Sequence, residues 1–212
     1  MSFQRLGFVE QEPSSGYYAL GAAALQVGLA CLHQLDPLKV SEPIAQELAR
    51  STGHAVAVAV WGNFGPTVVR LLEAQQPLHI MLRVGSVMSV LGTATGRAFA
   101  AGLPAEQLER VVTLSPGYEV GAVRPGARSW RKEVDEVAAE VRRHGVARAV
   151  GRPIPGVNAF SAAAFDHEGH LSMVLTALDY EDRMKGDWNS AGARAVREAA
   201  AAITRRLGGA TA

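Results

Sequence analysis

Apolar positions along the chain switch between a period of two and a period near 3.6, and the switches predict most of the elements. Phe8-Val9-Glu10 and Tyr17-Tyr18-Ala19-Leu20 are strand-like runs on either side of the turn formers Pro13-Ser14-Ser15-Gly16, which predicts a hairpin. An isolated hairpin is marginal in water, so this one needs a surface to pack on. Gly21 to His33 is an Ala/Leu-rich helix that is apolar nearly all round. Such a helix has to be covered on several sides, by its own domain or by another subunit. Asp36-Pro37 then suits a cap and first helical position, and Leu38, Ser41, Ile44, Ala45 and Leu48 follow at helical spacing up to Gly53. Pro43 is expected to kink this helix or to mark a restart after Ser41.

His54 to Val60 alternates Ala with Val and Thr67 to Leu72 is β-branched and apolar, with Asn63-Phe64-Gly65-Pro66 turning between them. Leu78 to Val84 reads as a third strand. Thr93–Ala101 and Pro104–Val112 are short helices split by Gly102-Leu103-Pro104, and the Gly/Pro-rich stretch from Leu114 to Arg128 reads as a loop. Ser129 is placed to cap an amphipathic helix whose stripe is Trp130, Val134, Val137 and Val141, closed by Gly145. Val146–Val150, Val157–Phe165 and Leu171–Asp179 are the last strands. A closing helix runs from Asp187 to Leu207 with Trp188, Gly192, Val196, Ala199, Ile203 and Leu207 on one face. Hairpin-linked strands with helices at both ends and in the middle predict an α+β domain, a mostly antiparallel sheet flanked by helices, rather than a doubly wound fold.

Composition narrows the function classes. Of 212 residues, 48% are hydrophobic and 19% charged, enough apolar material for a core. No apolar run approaches the ~20 residues of a membrane helix, so no membrane partner is expected. Twenty-one basic against 20 acidic residues give a net charge of +1, with no bulk electrostatic case for nucleic-acid binding by this chain itself. Cys31 is the single cysteine. An internal disulfide and a multi-cysteine metal site are therefore excluded, and a cytoplasmic location is the default expectation.

Candidate chemistry is sparse. Asp166-His167-Glu168-Gly169-His170 holds three metal-ligand types within five residues, but the run reads as a tight turn whose side chains diverge into water, so no metal is expected. Gly92-Thr93-Ala94-Thr95-Gly96-Arg97-Ala98 is one spacer short of a nucleotide-binding phosphate loop and has Arg-Ala where Lys-Ser/Thr is needed. Its small residues at a helix start still suit an anion, or else merely cap the helix. Cys31 reads as a buried inert thiol, no serine sits in a nucleophile elbow, and no carboxylate pair stands out. Trp61, Trp130 and Trp188 read as core or interface aromatics. No catalytic residue and no cofactor are expected.

Gly7-Phe8-Val9-Glu10 with Gly16-Tyr17-Tyr18-Ala19-Leu20-Gly21 resembles the wing and linker of the IclR family of bacterial transcriptional regulators. Gly85-Ser86 followed by Gly92-Thr93-Ala94-Thr95-Gly96-Arg97-Ala98 resembles that family's Gly…Thr-Ala-x-Gly-Lys-Ala signature. Val141-Arg142-Arg143-His144-Gly145 and then Ala163-Ala164-Phe165-Asp166-His167-Glu168-Gly169 resemble its later small-residue strand and Phe-Asp-x-x-Gly stretch. The likeness runs in order along nearly the whole chain. It implies a GAF/PAS-like effector-binding domain over residues 36–212, a linker helix over 21–35 and a remnant of a winged helix-turn-helix over 1–20. The rest of that DNA-binding domain is expected to be missing through a shortened or late-assigned start.

The resemblance also implies a ligand site between the sheet and the helix of the Thr-Ala signature. Ile80, Met88 and Leu91 would line it, and Thr93, Ala94 and Thr95 would offer backbone or hydroxyl donors. Val157, Asn158 and Ala159 would come from one late strand, Thr176 and Leu178 from its partner. Family members that bind very small acids have Cys and Ser where this chain has Ala159 and Leu178, and an acidic group near the position of Ala149. The departures imply a more apolar site, suited to an effector with an apolar or aromatic body, its carboxylate included. Arg97 would lie on the outward side of its helix. The implied function is ligand sensing and oligomerisation, as a homodimer or homotetramer, in a regulator that binds operator DNA through its N-terminal domain. A small pocket hydrolase or isomerase and a stand-alone binding module are the alternatives.

Overall fold

In the computed structural model, residues 2–113, 117, 119–122 and 130–210 are described. The chain divides into two units at Pro37. In the first, β1 (Val9–Gln11) and β2 (Tyr18–Leu20) pair antiparallel as the predicted hairpin, with Val9 opposite Leu20. Phe8 and Gly7 carbonyls accept from the N–H groups of Gly21 and Ala23, which ties the hairpin to the start of α1 (Ala22–Gln34). Gly21 is required there, because a Cβ would lie 2.3 Å from the Gly7 carbonyl oxygen. The helix itself is not covered as its composition demands: Leu25, Val27, Leu29 and Leu32 are 41–65% exposed. Cys31 is likewise exposed, not buried.

The second unit rests on one five-stranded sheet of order β4-β3-β7-β6-β5, antiparallel throughout. Its strands are β3 (Ala55–Gly62), β4 (Gly65–Leu72), β5 (Ala147–Val150), β6 (Val157–Phe165) and β7 (Leu171–Tyr180). Side chains alternate between the faces of a strand. The Ala/Val alternation of β3 therefore puts Ala55, Ala57 and Ala59 on one face and Val56 and Val58 on the other, all of them buried.

Helices cover both faces. On the alanine face, α3 (Ala94–Gly102) packs Ala98 and Phe99 against Ala59, Ala147 and Val174. Beyond it α5 (Trp130–His144) joins Trp130, Val134 and Val137 to Leu108 and Val111 of α4 (Ala105–Thr113). The opposite face carries Asn158, whose Nδ2 donates to the Met184 carbonyl. Met184 in turn abuts Gly192 of α6 (Ala191–Arg206), a helix that packs on β6 and β7.

Three expectations need correction. The run from Leu78 to Val84 forms no regular strand. It keeps a strand's alternation, with Ile80 and Leu82 turned inward and Met81 96% exposed, yet no strand lies beside it to complete a ladder. The closing helix begins at Ala191, because Ser190 is its cap and accepts from the Ala193 N–H, so Trp188 precedes it. Finally, α2 (Pro37–Thr52) runs through Pro43 without a restart. The expected Ser129 cap lies outside the described residues, as does most of the loop from Leu114 to Arg128.

Candidate functional site

Strand register assembles a floor of small residues. Ala55, Leu178, Ala159 and Ala149 form one row across β3, β7, β6 and β5, and Ala57, Thr176, Ser161 and Ala147 form the next. Six of these eight side chains are no larger than serine. Large aliphatics in both rows would bring the floor up to the helices; the short ones leave a space beneath α3.

The first turn of α3 forms the wall. Thr93 is its cap: Oγ1 accepts from the Gly96 N–H at 3.0 Å and donates to the Ser89 carbonyl at 2.9 Å. Gly96 makes this turn possible, since a Cβ there would lie 2.0 Å from the Ser89 oxygen and 2.6 Å from Val90 Cα. Thr95 reaches down to the floor, its hydroxyl 2.8 Å from that of Thr176, which is in turn 2.7 Å from Ser161 Oγ. All three hydroxyl residues are buried. Ala94 and Thr95 stand at helix positions whose N–H groups have no intrahelical acceptor.

A strap from Glu73 to Val87 closes one side and brings Ile80 and Leu82 over the floor. Arg183 holds it, donating from Nη1 to Gln76 Oε1 and from Nη2 to the Pro77 carbonyl. Tyr180 Oη accepts from the His79 N–H. Arg183 is itself fixed 2.7 Å from the buried carboxylate of Asp179, which also meets His54 Nδ1 at 2.9 Å.

The cavity is tight, with a volume of about 40 Å³. Ile80, Met88, Thr93, Ala94, Thr95, Val157, Ala159, Thr176 and Leu178, all expected at the site, line it together. Two expected residues do not. Asn158 points to the opposite face by strand alternation, where it also accepts from the Gly151 N–H. Leu91 packs with Val90, Ala100 and Trp130 instead.

Sequence reasoning passed over Ala57, Leu82, Val120, Arg152, Pro153 and Ile154 as lining residues, and had singled out Ala149 only as a departure. The alternation in 55–60 and 78–84 carried a signal for Ala57 and Leu82; nothing local marked Arg152. Arg97 faces α5 and pairs with Glu140 at 2.8 Å, outside the cavity. In the Asp166–His170 turn the side chains converge rather than diverge: ligand atoms of Asp166, Glu168 and His170 lie within 4.8 Å of one another. Asp166 Oδ1 nevertheless serves the turn, accepting from the Glu168 and His170 N–H groups.

A family model described as “Bacterial transcriptional regulator IclR C-terminal” matches residues 29–205. The chain belongs to the IclR family. Among solved structures, HmgR of Pseudomonas aeruginosa superposes with a TM-score of 0.84 at 30% identity, covering 99% of this chain and 82% of that one. The HTH-type transcriptional regulator KipR of Bacillus subtilis (strain 168) is 24% identical over 207 residues, 98% of this chain and 81% of the relative. The glycerol operon regulatory protein of Streptomyces griseus is 29% identical over 220 residues, 98% of this chain and 80% of the relative. The five-stranded sheet with its flanking helices is the effector-binding fold of IclR regulators. This protein is a transcriptional regulator of that family. No helix among the described residues is long and apolar enough to cross a membrane.

Proposed function

We propose that the cavity under α3 is an effector site whose occupancy modulates operator binding by the winged helix-turn-helix that IclR regulators carry upstream. The observation that carries the reading is the convergence of the α3 start, the alanine floor and the strap on one enclosed apolar space. Such spaces, with a few convergent polar groups, suit small organic molecules. Ile80, Met88, Val157 and Leu178 would contact an apolar or aromatic body. The N–H groups of Ala94 and Thr95 would receive a carbonyl or hydroxyl oxygen. Leu91 and Asn158 are left out of the proposed contacts, for the reasons of position given above.

An aromatic guest needs more room than a cavity of about 40 Å³ provides, so binding would displace lining side chains, chiefly those of the strap. That movement is the physical means by which occupancy could reach the rest of the molecule: the ligand shifts a population only by its differential affinity for the open arrangement. Residues 1–20, 21–35 and 36–212 would serve as wing remnant, linker and effector domain; the division of the chain at Pro37 supports the last boundary. The exposed Leu25, Val27, Leu29 and Leu32 of α1 support a contact with a second copy of the chain, in a cytoplasmic homodimer or homotetramer.

A thermal-shift screen of carboxylic and aromatic compounds tests the effector reading. A ligand at 100 times its Kd should stabilise the fold by about 2.7 kcal/mol. No stabilisation by any compound, while a variant with a filled cavity behaves like the parent, would remove the reading.

A further inference from the structure

On the β5 side the cavity adjoins a larger polar recess of about 770 Å³, and Ala149, Arg152 and Pro153 line both spaces at this neck. Gly121 packs beside it. It has φ +73°, and a Cβ on it would lie 2.8 Å from Pro153 Cγ and 3.0 Å from Thr93 Cγ2. The recess contains three guanidinium groups. Arg97 is committed to Glu140. Arg148 donates to the Gly186 carbonyl and lies over the Trp188 ring at 3.9 Å. Arg152 is exposed, with no hydrogen bond, ion pair or ring contact among the described residues, and it is the one charged side chain lining the cavity.

Inside the cavity the hydroxyls are already hydrogen-bonded to protein groups and none carries a charge. Thr93 Oγ1 has both a donor and an acceptor, and Thr95, Thr176 and Ser161 bond one another. A carboxylate pushed wholly inside would lose its water among apolar walls with no counter-charge, which is costly. At the neck the same carboxylate stays half solvated and meets a free guanidinium, whose planar fork matches its two oxygens. We infer that Arg152 is the specificity residue of the effector site, selecting monocarboxylates that lie with the apolar body inward and the carboxylate at the neck. Glu133 and Asp187 also line the recess, so a second negative charge extending outward would be repelled. This inference rests on the proposal that the cavity binds the effector.

Calorimetry and thermal shift with two matched pairs, benzoate with benzamide and hexanoate with hexanamide, test it at neutral pH. The expected result is an acid bound about tenfold more tightly than its amide, a preference lost in Arg152→Gln and intermediate in Arg152→Lys. Arg152→Lys keeps the charge and most of the side-chain reach but loses the planar fork, so it decides the matter if Arg152→Gln fails to fold by circular dichroism. Amides binding as well as acids, or an acid preference that survives in both variants, would overturn the role of Arg152 and leave the effector cavity standing. Binding of neither member of either pair would overturn both.

Discussion

Thr95 Oγ1 and Thr176 Oγ1 lie 2.8 Å apart in a shared hydrogen bond, which fastens the first turn of α3 to the central strand of the sheet. Ser161 extends the bond to the next strand at 2.7 Å. Three buried hydroxyls thus form one hydrogen-bonded chain in a space walled largely by alanines and aliphatics. Thr176→Val keeps the shape and removes the centre of the chain, leaving Thr95 without its floor partner and Ser161 without its neighbour. The expected loss is about 1–3 kcal/mol in urea unfolding. Equal stability of variant and parent would show that water replaces the lost partner.

Gly96 should tolerate no side chain. A Cβ would meet backbone atoms of Ser89 and Val90, which cannot swing aside as a side chain can. Gly96→Ala is expected to cost about 3 kcal/mol or more and to abolish ligand-induced stabilisation, because the cavity wall would move. Gly85, where a Cβ meets nothing within 4 Å despite φ +89°, is the comparison: Gly85→Ala strains the backbone but displaces no neighbour. Its loss should be smaller in the same unfolding assay.

Filling the floor should separate folding from binding. Ala159 is opposite both Leu178 and Ala149 in the sheet, beneath the cavity. Ala159→Leu introduces three carbons into a tight space, with an expected cost of about 1–3 kcal/mol from overpacking. Compounds that stabilise the parent in the thermal-shift screen should no longer do so. Retained stabilisation would place their site elsewhere.

Arg183 should control the strap. Arg183→Ala removes the donors to Gln76 and Pro77 and leaves the buried Asp179 carboxylate with His54 and the Tyr180 N–H but no guanidinium. Hydrogen exchange should rise at the His79 amide and its neighbours while the amides of β6 and β7 stay protected. Global stability should fall by about 3 kcal/mol, because one member of a buried pair is removed. Unchanged exchange at residues 76–80 would mean that Tyr180 and the hydrophobic contacts of Ile80 hold the strap without Arg183.

The α1 surface makes a prediction about assembly. Leu25→Glu with Leu29→Glu places charge on an exposed apolar helix and should cost little in an isolated chain. Light scattering should nevertheless report a smaller assembly than the parent's at the same concentration. An unchanged mass would assign the subunit contact to another surface.

Most helices and all five sheet strands could be placed from periodicity within a few residues, because burial of one face imposes its period directly on the order of amino acids. The run from Leu78 to Val84 shows where that reasoning stops. Its alternation is real and has the same cause, one side facing the cavity and the other solvent, but a ladder needs a neighbour and alternation does not supply one. Asn158 and Leu91 fail for a related reason. Val157 and Ala159 have to face together and Asn158 away from them, which the strand period already implied once the direction of Ala159 was taken. The side toward which Leu91 turns depends on α4 and α5 packing beside it.

By itself, the order of residues determined the α+β class, the cap at Thr93 and the small residues of the α3 turn, since each follows from local geometry or from the chemistry of single side chains. Only the tertiary structure decided that Ala57, Ala149 and Ala159 share one floor, that Arg183 ties a strap at Gln76, 107 residues earlier in the chain, and that Arg152, without a partner among the described residues, lines the cavity. Those relations join positions far apart in the chain through strand register and loop closure. Local sequence does not fix them, because each depends on which distant partner the sheet brings alongside.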